Sequence, residues 1–501
     1  MSRIHSGIQL YADHIPIYAN YISNFMFILY FSKIDVKCNI KMYKVPKFCA
    51  VYSMRQLGRE ENWNMADQLG TMQNVVQAIQ SSEPYQKAAE FIVQDCDKTL
   101  QQQLELVQIP AFSHHEEQKA RRFQEMVEAE GYFAEMDDVC NVFTTIKGTG
   151  DGPTVMLTAH LDTVFPMDTP LVPRWEGTRV YCPGIADDTR GCAEVLNLLR
   201  TIRAAGLQPV GDIIIGANVG EEGLGDLKGM RHFFGKNPNL VDGYISLDGA
   251  GERYCFGAMG SYRYKVTFRG PGGHSNGDFG LVNPIHAMGR AIAYISEIRT
   301  PEHPKTTFSV GVVEGGTSVN AIAHECSMLV DLRSNGQPEQ KKLDQEFRAC
   351  IDRAVKDEDN RWEAERNWDK NSYGRHYDPN ARIEVDLQQL GNRPAGKVPA
   401  DHPFVNILDT VYRAVGITPN VIPYGSMDAN IPLSMGIPGV GIFGGGARGN
   451  GHSLDEWYDP TDAHLGMQRT LLLLFAMVGL HGVSAPLLPK RIGKNDFDYV
   501  V

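Results

Sequence analysis

Two adjacent aspartates lie in a short turn of this 501-residue chain. In "PGIADDTRG" (residues 183–191), Asp187 and Asp188 follow a Pro-Gly turn and precede a helical pattern. Taken alone, the pair predicts a helix N-cap, because a carboxylate there accepts a backbone N–H and suits the positive end of the helix dipole. Neighbouring like charges also repel each other, so cation binding is a second interpretation.

Other metal-capable side chains follow four apolar runs that are typical of buried strands. The runs are "TVMLTAHLD" (154–162), "DIIIGANVGEE" (212–222), "GYISLDG" (243–249) and "GVGIFGGG" (439–446). The fourth run leads through a Gly-rich loop to a histidine. In chain order, the side chains at the ends of the runs are His160, Asp162, Glu221, Glu222, Asp248 and His452.

These side chains are expected to converge, because the carboxyl ends of strands in an open α/β sheet meet at one ligand-binding crevice. Each signal is weak alone: "HLD" is more often an ordinary histidine, and "EEG" is usually a solvated face. Carboxylates gathered at one crevice raise each other's pKa unless cations neutralise them. Together they predict two divalent metal ions, and the histidine and carboxylate ligands suit zinc, with cobalt or manganese as alternatives.

Other catalytic chemistries have less support in the sequence. "HHEEQK" (114–119) lacks the second histidine of an H-E-x-x-H zinc site. A serine hydrolase is not favoured either, although "GHSNG" (273–277) matches the G-x-S-x-G pattern. Cys182 and Cys192 flank the aspartate pair, but lone thiols at such positions are more often packing residues than ligands.

The elements that carry these residues alternate between strands and helices. "RGCAEVLNLLRTIRAAG" has one apolar helical face and ends at Gly206, and it lies between the first two strand-like runs. A further amphipathic helix is predicted from residue 84, with Phe91, Ile92, Leu100 and Leu104 on its apolar face. The pattern predicts an α/β domain with a mainly parallel sheet flanked by helices.

A second, α+β domain interrupts the first. "SYRYKVTFRG" alternates apolar and polar residues, which predicts a sheet with one wet face. The predicted organisation is an N-terminal extension of unknown role (1–80), a metal-binding domain (81–260 and 390–485) and an inserted domain (261–389). The residues expected on the buried face of the inserted sheet are Tyr262, Tyr264, Val266 and Phe268.

The composition of the chain limits the classes of partner that it is expected to bind. The formal charge of −12 argues against nucleic-acid binding, so a small peptide or other small molecule fits better. Nine cysteines without C-x-x-C spacing favour a reducing compartment, taken as the cytoplasm. The apolar stretch "SNFMFILYF" (23–31) is shorter than the roughly twenty residues of a membrane span. We therefore expect no stable span, while an anchor, a poorly ordered extension or a start codon assigned too early stay open.

The motifs, taken in order, resemble those of a known enzyme family. The resemblance covers roughly residues 85 to 480, and the segments that carry it are "TAHLDTV", "GIADDTRG", "VGEEGLGDLKG", "SLDG", "GGHSNGDFGLVNPIHA", "GGTSVNAI", "VDLR" and "GNGHSLDEW". They are similar to the dinuclear zinc metallopeptidases and deacylases that include peptidase T, glutamate carboxypeptidase, aminoacylase, acetylornithine deacetylase and succinyl-diaminopimelate desuccinylase. The resemblance implies a zinc-exopeptidase-like catalytic domain with an inserted dimerisation (lid) domain, and a homodimer.

The resemblance also implies a role for each matching residue. His160 and Glu222 would each bind one metal ion, and Asp187 would bridge both. Asp248 and His452 would complete the two ligand sets.

Catalytic and substrate-binding roles follow in the same way. Asp162 would orient His160, Glu221 would act as general base and acid, and His274 of "GPGGHS" would stabilise the oxyanion across the dimer. The side chains expected to hold the substrate carboxylate are Asn320, Arg333 and Arg393.

One departure from the family pattern concerns the residue after the aspartate pair. Most relatives have a lysine there, whereas this chain has Thr189 followed by Arg190, so a cation is expected one position later. The function favoured is hydrolysis of an amide bond in a short peptide, with an N-acyl amino-acid deacylase as the alternative. A non-catalytic binding protein and a two-metal phosphodiesterase are less favoured.

Overall fold

The computed structural model describes residues 65–361, 381–399 and 402–491. The helices in these ranges are α1 (Met65–Ser81), α2 (Glu83–Gln94), α3 (Cys96–Val107), α4 (Glu117–Ala129), α5 (Thr189–Ala205), α6 (Lys228–Lys236), α7 (Pro284–Ser296), α8 (Gln337–Asp359), α9 (Pro403–Ala414), α10 (Asn430–Ser434) and α11 (Ala463–Val478).

The strands of the described ranges form one eight-stranded sheet, two four-stranded sheets and two two-stranded sheets. They are β1 (Glu135–Met136), β2 (Val142–Ile146), β3 (Val155–His160), β4 (Arg174–Glu176), β5 (Arg179–Tyr181), β6 (Ile213–Asn218), β7 (Gly243–Ala250), β8 (Arg253–Cys255), β9 (Gly257–Ala258), β10 (Gly260–Arg269), β11 (Gly273–His274), β12 (Thr306–Gly315), β13 (Ala321–Ile322), β14 (Glu325–Ser334), β15 (Glu384–Arg393), β16 (Gly396–Lys397), β17 (Asn420–Ile422), β18 (Gly439–Gly444), β19 (Ala447–Gly449) and β20 (Trp457–Asp459).

The four predicted apolar runs lie side by side in an eight-stranded sheet of order β1-β2-β6-β3-β7-β18-β8-β17. Strands β6, β3, β7 and β18 are mutually parallel. All residues of β3, β6 and β18 are buried, as expected of parallel strands covered on both faces. The predicted fold class is confirmed.

Alternate residues of β3 contribute to two separate cores. Leu157 faces the larger core, which α1, α2, α5, α9 and α11 cover, whereas Met156 faces the core beneath α6 and α10. Neighbouring side chains of a strand point to opposite faces, so a continuous apolar run is needed for this arrangement. Helices on both faces leave the carboxyl ends of the parallel strands available for a site.

Helix α1 includes the last part of the predicted extension. Its Met72, Val76 and Ile79 recur at helical spacing and are buried in the larger core. The core therefore extends N-terminal to the expected boundary at residue 81. The apolar stretch 23–31 lies outside the described residues. Among the helices of the described ranges, none has the length and apolarity to cross a membrane.

The single amphipathic helix predicted from residue 84 is wrong, because the segment forms α2 and α3 with a break at Asp95. Of its expected apolar positions, Ile92 is buried, whereas Phe91, Leu100 and Leu104 are only partly buried. At the junction of the two helices, the Asp95 carboxylate accepts hydrogen bonds from Asn197 and Arg200 of α5.

The inserted domain has an antiparallel sheet of order β12-β14-β10-β15, with α7 and α8 packed against one face. The predicted buried face is confirmed, because all four apolar residues of β10 are buried against these helices. On the opposite face, Thr267 is buried as well. Strand β15 continues past the expected boundary at residue 389 and ends at Arg393. That last residue reaches the loop that follows β6, which connects the inserted sheet to the candidate site.

Candidate metal centre and active site

Three predicted ligands form a cluster at the carboxyl end of the central sheet. His160 ends β3, Asp187 precedes α5, and Glu222 lies in the loop after β6. One potential ligand atom of each lies within 4.8 Å of the other two. Nε2 of His160 is 3.2 Å from Oδ1 of Asp187. This mixed imidazole and carboxylate donor set fits a divalent metal ion such as zinc.

The other two predicted ligands lie beside this cluster. Nε2 of His452, which follows β19, is 2.9 Å from Oε1 of Glu222 and 3.6 Å from Oδ2 of Asp187. Asp248 lies near the end of β7, where burial and the charge of Asp187 raise its pKa to about 6. Bound cations would relieve the part of this shift that comes from the charge of Asp187.

Cationic side chains already partly balance this charge. Nη1 of Arg448 lies 2.9 Å from Oδ2 of Asp187. Burial alone would raise the pKa of Asp187, but the hydrogen bond with His160 and the charges of Arg448 and His452 hold it below the usual range. Hydrogen bonding to Glu222 in turn raises the pKa of His452 to about 9. These neighbours therefore favour the ionised form of Asp187.

Asp162 connects the end of β3 to the paired glutamates. Its Oδ1 accepts the backbone N–H of Glu221 at 3.0 Å, and its Oδ2 accepts that of Glu222 at 2.9 Å. The Ser113 hydroxyl donates to the same Oδ2 at 2.7 Å. Nδ1 of His160 is 3.0 Å from the carbonyl oxygen of Asp162 and 3.6 Å from its carboxylate. The carbonyl and the carboxylate of Asp162 thus both face the imidazole.

Asp188 points away from the metal cluster and supports it. Its carboxylate accepts the backbone N–H groups of His160 at 3.0 Å, Gly191 at 3.0 Å and Gly249 at 2.9 Å. The second of these is the N-cap bond of α5. The buried Asp188 carboxylate therefore connects β3, β7 and the start of α5 through hydrogen bonds.

Glu456 holds the other half of the same loop. Its carboxylate accepts the backbone N–H groups of Gly184, Ala186 and Asp187 at 2.9 to 3.0 Å. Burial and the charge of Asp187 raise its pKa to about 7. The loop that carries Asp187 is consequently fixed from both sides.

Glu221 is buried beside the metal cluster and is paired with Arg393. Nη1 of Arg393 lies 2.9 Å from Oε1 of Glu221, and its Nη2 donates to the Glu221 carbonyl oxygen. Burial raises the pKa of Glu221 well above its usual value, Glu222 adds to this, and Arg393 opposes it. A carboxyl group with a raised pKa is suited to exchanging a proton near neutral pH. Arg393, predicted to hold substrate, thus contacts the predicted base.

His274 and Asn320 lie together in the inserted domain. Strands β11 and β13 pair His274 with Ala321, and the backbone N–H of Ser275 donates to the Asn320 carbonyl at 2.9 Å. Nδ1 of His274 accepts the backbone N–H groups of Asn276 and Gly277, at 3.2 and 3.1 Å. The ring proton of the neutral imidazole therefore lies on Nε2, where it can be donated.

The cation expected at Arg190 has another function. Arg190 donates to Glu194 at 3.3 Å and lies over the ring of Tyr458. Consecutive helical residues point about 100° apart, so Arg190 cannot face the space beside Thr189. That space is occupied by Lys119 of α4, whose Nζ donates to the Thr189 hydroxyl at 3.1 Å.

Several of these supporting residues were not predicted from the sequence. Arg448 and Glu456 lie inside or next to the motif "GNGHSLDEW", so their polar character was a usable signal. Ser113 and Lys119 precede every motif that carried the resemblance, and only the folded chain brings them to the site.

A family model described as peptidase family M20/M25/M40 matches residues 156–475. The chain belongs to this family. The match includes all five predicted metal ligands and Glu221, and it begins after Ser113 and Lys119. The resemblance inferred from the ordered motifs is therefore confirmed.

Named M20/M25/M40 proteins are similar over large parts of the chain. A succinyl-diaminopimelate desuccinylase from Aromatoleum aromaticum is 27% identical over 233 residues, covering 43% of this chain and 60% of that protein. A solved Staphylococcus aureus tripeptidase is 22% identical with a TM-score of 0.61, covering 75% of this chain and 97% of that one.

A third similar protein carries information about metals. Bacillus subtilis YxeP, described as a dinuclear metal-binding peptidase of the M20 family, is 16% identical with a TM-score of 0.55. The match covers 76% of this chain and 98% of that one. At these identities the solved structures establish the shared fold.

Proposed function

We propose that this family member is a metal-dependent hydrolase that cleaves an amide bond of a short peptide. The observation that carries the proposal is the cluster of His160, Asp187 and Glu222 beside the buried Glu221, whose pKa is raised by burial. A metal site adjacent to a general base is the arrangement that metal-assisted hydrolysis requires.

The donor set fits two divalent ions, for which zinc is our first proposal. His160 and Glu222 would each bind one ion, Asp248 and His452 would complete the two sets, and Asp187 would bridge them. When bound, such a pair of ions lowers the pKa of a water molecule and polarises the substrate carbonyl.

The chain's own residues would then move the proton and hold the substrate. Glu221 takes the proton of the attacking water and passes it to the leaving nitrogen. Arg393 holds the Glu221 carboxylate in place through Nη1. His274, with its proton on Nε2, donates to the developing oxyanion, while Asn320 and Arg333 bind the substrate carboxylate.

A homodimer is part of the proposal. Within the described ranges, strand β12 is an edge strand of the inserted sheet, and its Val312 and Val313 are exposed. A sheet edge with apolar side chains favours pairing with a second chain. The exposed His274 could then serve the partner's site. We further propose a cytoplasmic location, in keeping with the free cysteines of the described ranges.

The alternative activity is deacylation of N-acyl amino acids. It is favoured by the similarity to a succinyl-diaminopimelate desuccinylase. The ligands and the base would be the same in both reactions, so only substrate preference separates them.

The test combines metal analysis with a substrate panel. Purified full-length protein is assayed on dipeptides, tripeptides, N-acetyl and N-succinyl amino acids and a generic phosphodiester, before chelation, after chelation and after zinc return. We expect peptide hydrolysis that chelation abolishes and zinc restores. Activity that survives complete metal removal would contradict the proposal, and activity confined to N-acyl substrates would favour the deacylase.

A further inference from the structure

Lys119 is a charged side chain buried behind the candidate metal site. It lies on α4 and is 1% exposed. Its Nζ donates to the Thr189 hydroxyl at 3.1 Å, and Thr189 is the first residue of α5. A buried ammonium group is costly unless negative charge lies nearby. A neutral hydroxyl by itself does not compensate that cost.

The compensating charges come from residues that hold the metal-binding loops. Burial lowers the pKa of Lys119, and the Cys192 thiol and the buried carboxylates of Asp188, Asp162 and Glu456 oppose that shift. The hydrogen bonds to Asp188 and Glu456 come from backbone N–H groups. Such neutral donors solvate a carboxylate but carry no countercharge.

The two aspartates connect Lys119 to the ligands. Asp188 accepts the backbone N–H of His160, and Asp162 accepts that of Glu222. Each of these ligands is thus held by a buried carboxylate whose charge acts on Lys119. Arg190 cannot take this role, because it is paired with Glu194.

We propose that Lys119 is the fixed countercharge of Asp162 and Asp188, and through them a positioning residue for the metal ligands His160 and Glu222. The inference rests on the proposed function in so far as these residues bind metal. It further states that the charge, rather than the identity of residue 119, is what the site requires.

The contact with Thr189 allows this charge to be relocated. Because Nζ of Lys119 lies against Oγ1 of Thr189, a lysine introduced at position 189 can direct its ammonium group into the space that the K119M substitution leaves without a charge. The variants are therefore K119M, the double variant K119M/T189K and, as a control, K87M at an exposed position of α2.

Two measurements are made on each full-length protein. Zinc affinity is measured by titration calorimetry, and unfolding of the chelator-treated protein is followed in urea. We expect K119M to bind zinc about 10- to 100-fold more weakly, as for other residues that support metal ligands. We also expect its urea midpoint to fall. The double variant should recover both properties, and K87M should match the wild type.

Several outcomes would overturn the inference. A folded K119M with wild-type zinc affinity would do so, and so would a folded double variant that recovers neither property. If K119M does not fold, the double variant decides: a folded protein that binds zinc supports the inference, and an unfolded one overturns it. Failure of the proposed function looks different, since the wild type would then hydrolyse none of the peptides while the urea comparison among variants stayed interpretable.

Discussion

At the scale of single residues, neighbours in the sequence have different environments in the site. Glu222 contacts His452, whereas Glu221 contacts Arg393. Asp187 faces the metal cluster, whereas Asp188 accepts three backbone N–H groups behind it. The two members of each pair should therefore respond differently to the same substitution.

The first prediction concerns the glutamates. Glu221→Gln keeps an oxygen for Arg393 but cannot exchange a proton, so kcat should fall by about 10²- to 10⁴-fold with metal content unchanged. Glu222→Gln is the matched comparison and should lower metal content. Steady-state kinetics and metal analysis of both proteins check this, and a fully active Glu221→Gln enzyme would contradict it.

The second prediction concerns the aspartates. Asp188→Asn places an amide N–H against a backbone N–H in a buried position, and should lower the free energy of unfolding by about 1–3 kcal/mol. Asp187→Asn should instead remove bound metal and activity while leaving the metal-free protein folded. Urea unfolding and metal analysis separate the two effects. Equal metal loss in both variants would argue against the assignment of Asp187.

At the scale of elements, buried polar contacts decide how helices meet. The Asp95 carboxylate, at the junction of α2 and α3, accepts hydrogen bonds from Asn197 and Arg200 of α5. Arg200 also reaches Glu130 at 3.3 Å. Helix α5 begins at the aspartate pair, so this junction fixes the helix that presents the site.

The third prediction tests this junction. Asp95→Ala leaves the buried Arg200 short of its main carboxylate partner and should lower the free energy of unfolding by about 3 kcal/mol. Asp97→Ala, an exposed change in the first turn of α3, is the control and should have little effect. Denaturant unfolding of both variants gives the comparison. Similar stabilities for the two would show that the junction contributes little.

At the scale of the whole molecule, the inserted sheet contacts the catalytic domain at Glu221, the proposed general base. Arg393 ends β15 of the inserted sheet and binds Glu221. Nη1 of Arg263 on β10 donates to the Gly223 carbonyl oxygen, two residues after that glutamate. The inserted domain thus contacts the segment of the proposed base within one chain. His274 of the same domain is proposed to act on the site of the other chain of a dimer.

The fourth prediction follows from that proposal. Mixing a Glu221→Gln chain with a His274→Ala chain should restore part of the activity, because one site of each mixed dimer then has both residues intact. Each variant alone is the control. Subunit exchange is verified by light scattering and differently tagged chains. Verified exchange with no recovered activity would contradict supply of His274 by the partner chain.

The sequence alone determined the parts of this protein that depend on local pattern. Four apolar runs predicted the parallel strands, and the side chains at their ends predicted the type of site, because strand periodicity and ligand chemistry are both local properties. Alternation in β10 likewise predicted the buried face of the inserted sheet.

Only the tertiary structure decided the contacts between distant segments. The break at Asp95, the pairing of Arg393 with Glu221, and the positions of Lys119 and Glu456 each depend on a partner far away in the chain. A buried charge is stable only where the fold places its partner, so its role is defined by the space around it. For that reason Arg190, the nearer cation in sequence, is not the cation behind the site.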